Sequence, residues 1–218
     1  MIKLSIKALK EEASKFSILE SKHDEPSLFG SSDGKAVGTY LEHKFQHHLE
    51  KKYSFITGNS ASGIDFPDDE INTDIKTTSI TQPQSSCPFK SARQKIFGLG
   101  YNLLVFVYSK EDDSVKKVSR LNILHTVFVE KIRTADYQLT TSIQSILRNN
   151  GNKDDLLALF FEKNLPVDEI EAGKIADEVM KCEPNIGYLT ISNALQWRLQ
   201  YGRIIEKAGS IQGIFKLK

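Results

Sequence analysis

An unbroken apolar segment from Leu103 to Tyr108 constrains the fold more than any other part of the chain. A strand with one face in water alternates apolar and polar side chains, so a continuously apolar strand is typical of a sheet covered on both faces. The segment therefore predicts a core strand in an α/β fold. It is far shorter than a bilayer span, and we expect no membrane segment.

The composition is that of an ordinary globular protein, with 39% hydrophobic and 26% charged residues among 218. A formal net charge of +1 excludes a uniformly basic, chromatin-like protein. Two cysteines are too few for a disulfide scaffold or a four-cysteine zinc site. Since the N-terminus lacks the apolar core of a secretion signal, the expected location is cytoplasmic.

The polar cluster Asn149–Asn152 is expected to divide the chain into two domains, residues 1–150 and 151–218. Apolar residues at every fourth position predict a helix over residues 36–53. Further helices are expected at 90–97, 136–147, 154–163, 168–181 and 191–201. A hairpin of residues 203–207 and 213–218 would follow them.

A β-branched, alternating segment over residues 71–78 places Asp74 and Lys76 side by side on one face of a strand. Asp65 lies in the short strand before it and would sit beside Asp74 if the two strands pair. Two carboxylates that close repel each other unless a cation lies between them, and hard oxygen ligands suit Mg²⁺. The ammonium of Lys76 could stabilise developing negative charge or orient a water molecule.

Glu42 lies beside the apolar stripe of the 36–53 helix, one residue after Leu41 and three before Phe45. A carboxylate there is expected to be half-buried and to face the sheet, as a further ligand or a hydrogen-bond partner of one. Two carboxylates, a lysine and Mg²⁺ together suit hydrolysis of a phosphodiester.

In this order, Glu42, Asp65 and Asp74-Ile75-Lys76 resemble the PD-(D/E)XK nuclease superfamily, whose best-known members are the Type II restriction endonucleases. The resemblance covers residues 36–108, although Ile64 stands where the family pattern has a proline. It implies a restriction-endonuclease-like mixed β-sheet flanked by helices. It also implies that Asp65 and Asp74 are ligands of Mg²⁺, that Lys76 is the catalytic lysine and that Glu42 is accessory.

The resemblance further implies sequence-specific cutting of double-stranded DNA to 5′-phosphate and 3′-hydroxyl ends. Restriction enzymes often act as homodimers, so that each active site takes one strand; the resemblance is compatible with a homodimer, and the sequence leaves the choice between monomer and dimer open.

Residues 153–218, as three helices and a hairpin, resemble a small winged helix-turn-helix domain. Asn and Gln can contact adenine in the major groove, Arg can contact guanine, and lysines of the wing can reach phosphates. A second basic stretch lies in the nuclease part. The predicted DNA-contacting residues are Ser192, Asn193, Gln196, Arg198, Gln200, Lys207, Lys90 and Arg93.

Other interpretations stay open at this point. Asp74 and Lys76 could form a solvated ion pair, and the C-terminal helices could be a structural cap or a protein-docking module. The chain could be a DNA-binding regulator with an inactive nuclease-like fold. Methyl-directed restriction enzymes and transposon end-cutting nucleases combine the same two modules.

Overall fold

A computed structural model describes residues 1–58, 63–87, 90–192 and 197–218. Its helices are α1 (Ile6–Glu20), α2 (Gly34–Glu50), α3 (Arg93–Phe97), α4 (Tyr137–Arg148), α5 (Lys153–Glu162), α6 (Glu169–Lys181) and α7 (Gly202–Lys207). Its strands are β1 (Ile2–Lys3), β2 (Asp24–Glu25), β3 (Tyr53–Ser54), β4 (Thr73–Ser79), β5 (Gln84–Cys87), β6 (Asn102–Asp113), β7 (Val118–Val129), β8 (Thr190–Ile191), β9 (Trp197–Gln200) and β10 (Ile214–Lys216).

The central sheet has the strand order β10-β7-β6-β4. Strand β2 pairs with the N-terminal end of β7, at Ser119 and Arg120. Strand β4 runs parallel to β6, whereas β7 and β10 pair antiparallel to their neighbours. The predicted mixed sheet flanked by helices is confirmed. Strand β4 stands at one end of this order, so one of its edges faces away from the sheet.

Strand β6 is covered on both faces, as its apolar sequence predicts. Leu104 and Phe106 pack into one core cluster with residues of α1 and α2. Leu103 and Val105 point to the other side, into a second cluster. Alternate side chains of one strand thus serve two separate cores.

Helices α1 and α2 cover the first face of the sheet. The stripe of α2 at every fourth residue is fully buried, and the side chain of Asp33 caps the helix by accepting a hydrogen bond from the Lys35 amide. Helix α1 was not predicted, although Leu9, Ala13 and Phe16 bury one face of it. The predicted helix over 36–53 is confirmed.

A three-stranded sheet, β5-β9-β8, covers the second face. Trp197 and Leu199 of β9 are buried there in the same cluster as Leu103 and Val105. The helix predicted over residues 191–201 is therefore wrong, because strands β8 and β9 occupy part of that range. Residues 193–196, with the predicted DNA contacts Asn193 and Gln196, lie outside the described residues.

The predicted wing is also wrong. Residues 202–207 form helix α7 instead of a strand, and β10 pairs with β7 of the central sheet. The backbone groups of β10 form their hydrogen bonds with the edge of β7. The prediction had paired them within a local hairpin.

Helices α4, α5 and α6 are present as expected, with α4 capped by the side chain of Asp136. Their apolar residues share one cluster with α3: Ile96 and Ile143 pack there with Leu156 and Ile175. A division at residue 150 therefore cuts through a helical core and, because of β10, through the central sheet. The two-domain organisation stays a prediction, and these shared contacts argue against it.

Candidate active site

Strand β4 positions Asp74 and Lys76. Ile75 between them is buried in the core under α2, so the two charged side chains project to the opposite side. Nζ of Lys76 lies 2.6 Å from Oδ2 of Asp74. The Asp74 side chain is 5% exposed and the Lys76 side chain 20%, which separates this pair from a solvated surface ion pair.

Asp65 is brought to this pair by a short antiparallel bridge. Phe66 and Thr73 exchange backbone hydrogen bonds of 2.9 and 3.0 Å, and the buried Phe66 ring anchors the turn. Oδ2 of Asp65 accepts a 2.6 Å hydrogen bond from the backbone amide of Ile75. The predicted juxtaposition of Asp65 with Asp74 is thus present, although a single bridge replaces the expected pair of strands.

Glu42 completes a chain of acidic groups. Its negative charge acts on the carboxyl of Asp65, and that of Asp65 acts on Asp74. Helix α2 supplies Glu42 from one side of the sheet edge and β4 supplies Asp74. Three carboxyl groups and one ammonium therefore influence one another electrostatically at this edge of β4.

Burial shifts the pKa values of the charged groups in this cluster. Burial, opposed by Lys76 and reinforced by Asp65, raises the pKa of Asp74 to about 7. Burial also raises the pKa of Asp65, and Glu42 adds to the effect. Burial alone would lower the pKa of Lys76, but Asp74 raises it above its usual value. Lys76 therefore stays charged, while the neighbouring carboxyls hold negative charge poorly without more positive charge.

The donor set fits a divalent cation. Oδ2 of Asp74 is buried and accepts no hydrogen bond of normal geometry, despite the nearby lysine. Among the described residues, no three or more His, Cys, Asp or Glu side chains are arranged to hold a metal ion by themselves. A cation bound by Asp65 and Asp74 would therefore take its other oxygen ligands from water and a phosphate, as Mg²⁺ commonly does.

A groove of about 700 Å³ adjoins the cluster, with Glu42 and Thr78 in its lining. Gln84 and Ser86 of β5 and Arg198 of β9 line the same groove. Residues 81–87 of the polar segment after β4 are described, and strand β5 lies within them. The sequence did not predict Thr78 as a groove residue. Its position depends on hydrogen bonds to Gln84 of β5, which no local sequence pattern indicates.

The predicted DNA-contacting residues are scattered. Arg198 and Gln200 lie exposed on β9, where the hydroxyl of Ser192 accepts a 3.0 Å hydrogen bond from the Arg198 amide. Arg93 is paired with Glu178 of α6, at 2.7 Å between Nε and Oε2. Lys207 pairs with its neighbour Glu206 on α7, and Lys90 is exposed.

Three comparisons with known proteins bear on this site. A family model described as type II restriction enzyme NspV matches residues 3–216. The type II restriction enzyme NspV of Nostoc sp. (strain ATCC 29411 / PCC 7524) is 63% identical over 211 residues, which cover 97% of this chain and 95% of that protein. Among solved structures, tetrameric restriction endonuclease SfiI bound to cognate DNA matches with a TM-score of 0.45 and 10% identity, covering 97% of this chain and 80% of that chain.

The α/β fold and the family match define a nuclease of the restriction-endonuclease class. The chain belongs to the NspV family of type II restriction enzymes. It is a site-specific deoxyribonuclease, and type II restriction enzymes generally use divalent metal ions. No helix in the described part of the chain is long and apolar enough to cross a membrane.

Proposed function

We propose that the enzyme cuts double-stranded DNA with Mg²⁺ at the cluster of Glu42, Asp65, Asp74 and Lys76. The observation that carries the proposal is the buried pair of Asp74 and Lys76, 2.6 Å apart, with Asp65 held against the same strand by the Ile75 amide. Bound there, Mg²⁺ would polarise the phosphate and lower the pKa of a coordinated water.

In this proposal each side chain of the cluster has a separate role. Asp65 and Asp74 hold the cation, and the backbone amide of Ile75 fixes the orientation of Asp65. Lys76 holds the attacking water and offsets the negative charge that builds up on the phosphate oxygens. Glu42 supports Asp65 and borders the groove.

The reaction is a hydrolysis. An oxygen of water forms a new bond to phosphorus, and the bond from phosphorus to the 3′ oxygen breaks. The electron pair leaves with that oxygen, which takes up a proton, so that 5′-phosphate and 3′-hydroxyl ends remain.

The experiment is digestion of a plasmid and phage DNA panel, methylated and unmethylated, with Mg²⁺ or with EDTA. Wild type is compared with Asp74→Ala and with Asp69→Ala, which removes an exposed acid of the turn before β4. We expect discrete fragments from wild type and Asp69→Ala in Mg²⁺, and none from Asp74→Ala or in EDTA. Cutting by Asp74→Ala would refute the assignment.

Family membership favours this nuclease over a binding-only regulator. The choice between monomer and dimer stays open, and a cytoplasmic location stays a prediction. Sedimentation of the enzyme with and without a DNA duplex would measure the first, and fractionation of the producing cell the second.

A further inference from the structure

The sheet β5-β9-β8 has one apolar and one polar face. In its register Gln84 lies opposite Gln200, and Ser86 lies opposite Arg198. Residues directly opposite in an antiparallel pair project to the same side. Thr190 of β8 lies opposite Gln200 on its other flank. We call this set the polar sheet face: Gln84, Ser86, Thr190, Arg198 and Gln200.

The polar sheet face is held rigidly. Beneath it, Trp197 and Leu199 are buried against β6 and β7. The Gln84 amide donates a 2.9 Å hydrogen bond to the hydroxyl of Thr78, which stands on the same side of β4 as Asp74 and Lys76. The polar sheet face is thus tied to the strand that carries the proposed catalytic pair.

Part of the polar sheet face lines a groove that is bordered by one residue of the proposed catalytic centre. Gln84, Ser86 and Arg198 line the groove that Glu42 borders. All five side chains of this face are uncharged or positive. In the described part of the chain, no carboxylate forms an ion pair with Arg198. A duplex whose phosphate reaches the carboxyl cluster would therefore meet this face with its neighbouring bases.

The residue types suit base recognition. An arginine can donate two hydrogen bonds to the O6 and N7 atoms of guanine, and a glutamine can pair with the N6 and N7 atoms of adenine. A β-ribbon fits the major groove. Alternate residues of a strand are about 6.6 Å apart, or about two base-pair steps of 3.4 Å. Arg198 and Gln200 would therefore address bases about two pairs apart.

We infer that the polar sheet face determines sequence specificity from the major groove, with Arg198 contacting a guanine and Gln200, beside Gln84, contacting an adenine. The inference rests on the proposed function for its placement of the duplex. The inference differs from the predicted recognition helix over residues 191–201. In a strand, alternate residues face the DNA, whereas in a helix the contacting residues are three or four apart.

The test measures binding without cutting. Ca²⁺ replaces Mg²⁺, and a randomised duplex library is bound, recovered and sequenced for wild type, Arg198→Ala, Arg198→Lys, Gln200→Ala and Gln84→Ala. Arg148→Ala is the matched control, since it removes one exposed positive charge at the end of α4. Thermal unfolding verifies that each variant is folded.

We expect Arg198→Ala and Arg198→Lys to lose guanine preference at one position of the site, with affinity for the wild-type site falling about 5- to 150-fold. Gln200→Ala and Gln84→Ala should relax an adenine position about two pairs away. Arg148→Ala should keep the full preference. Lysine keeps the charge of Arg198 but lacks its two-pronged geometry, so it separates base contact from phosphate contact.

Two results would overturn the inference. One is an unchanged base preference in Arg198→Ala. The other is an Arg198→Lys variant that keeps guanine preference, which would make Arg198 a phosphate contact. Because binding is measured without hydrolysis, failure of the catalytic assignment shows separately, as cutting by Asp74→Ala in Mg²⁺.

Discussion

The hydroxyl of Thr78 accepts a 2.9 Å hydrogen bond from the Gln84 amide and lies 3.1 Å from the Gln84 carbonyl oxygen. Thr78 belongs to the strand of the proposed catalytic pair, and Gln84 belongs to the polar sheet face. One buried hydroxyl therefore fixes the distance between the part of the protein proposed to cut and the part proposed to recognise bases.

We expect Thr78→Val to weaken this connection without changing side-chain volume much. It removes one of the two acceptors of the Gln84 amide, whose other acceptor is the Gln82 carbonyl oxygen at 2.8 Å, and should lower the free energy of unfolding by about 0.5–1.5 kcal/mol. Cutting at near-cognate sites should rise relative to cutting at the cognate site. Urea denaturation and digestion of both substrates measure the two effects. Thr141→Val, on α4 and outside the lining of the groove, should change neither.

Lys76→Met should separate chemistry from binding. Loss of the ammonium should lower the single-turnover cleavage rate about 10²- to 10⁴-fold in saturating Mg²⁺. DNA affinity in Ca²⁺ should change little, because Lys76 is largely buried beside Asp74 and not on the polar sheet face. A rate within a few-fold of wild type would contradict the role given to Lys76.

The acid stability of the fold should depend on Glu12. Burial opposes ionisation of this carboxyl, but hydrogen bonds from Lys15, Lys52 and His48 outweigh it and lower the pKa of Glu12 from 4.5 to about 2. A lowered folded-state pKa stabilises the protein above about pH 4.5, and this contribution is lost as the pH falls toward 2. Its size is about 1.5–3 kcal/mol.

Glu12→Gln should therefore lower the free energy of unfolding at pH 7 and flatten its decline between pH 5 and pH 3. Chemical denaturation at pH 7, pH 5 and pH 3 measures the free energy of unfolding of the variant and of wild type. Glu11→Gln is the control on the exposed face of the same helix, and it should follow wild type. Equal pH dependence in the two variants would exclude the Glu12 network as the source.

Ile214→Ala tests whether β10 is an integral strand of the central sheet. Ile214 is 1% exposed and packs with the cluster beneath the polar sheet face. The truncation should cost about 2–5 kcal/mol in the free energy of unfolding, measured by denaturation. Val115→Ala, at a 92% exposed side chain, should stay within about 0.5 kcal/mol of wild type. If Ile214→Ala also changed the free energy of unfolding by no more than about 0.5 kcal/mol, β10 would be a peripheral strand.

The geometry of the candidate site was predictable where local periodicity and packing agree. The alternation over 71–78 placed Asp74 and Lys76 on one face and Ile75 in the core, and the structure has them so. The position of Glu42 beside a buried stripe predicted a half-buried carboxylate, and Glu42 is half-buried on α2. Both inferences use only the period of an element and the side that is buried.

The C-terminal region was not predictable in the same way. The spacing of Ile191, Leu195 and Leu199 fits a helix, but Trp197 and Leu199 also alternate with Arg198 and Gln200 as in a strand. Pairing with β5, more than a hundred residues earlier, decides between them. Such long-range pairing overrides local preference and leaves no trace in a short window of sequence. Strand β10 is a second case, since its partner β7 is equally remote from any local pattern.

Strands β9 and β10 also set an order of assembly. Both complete their pairings with segments made much earlier, so their closure is slow and comes late during synthesis. A nascent chain that has already produced the carboxyl cluster still lacks the strand bearing Arg198 and the strand that joins β7. Under the proposed roles, the residues inferred to recognise bases are therefore synthesised and paired after the residues proposed to cut.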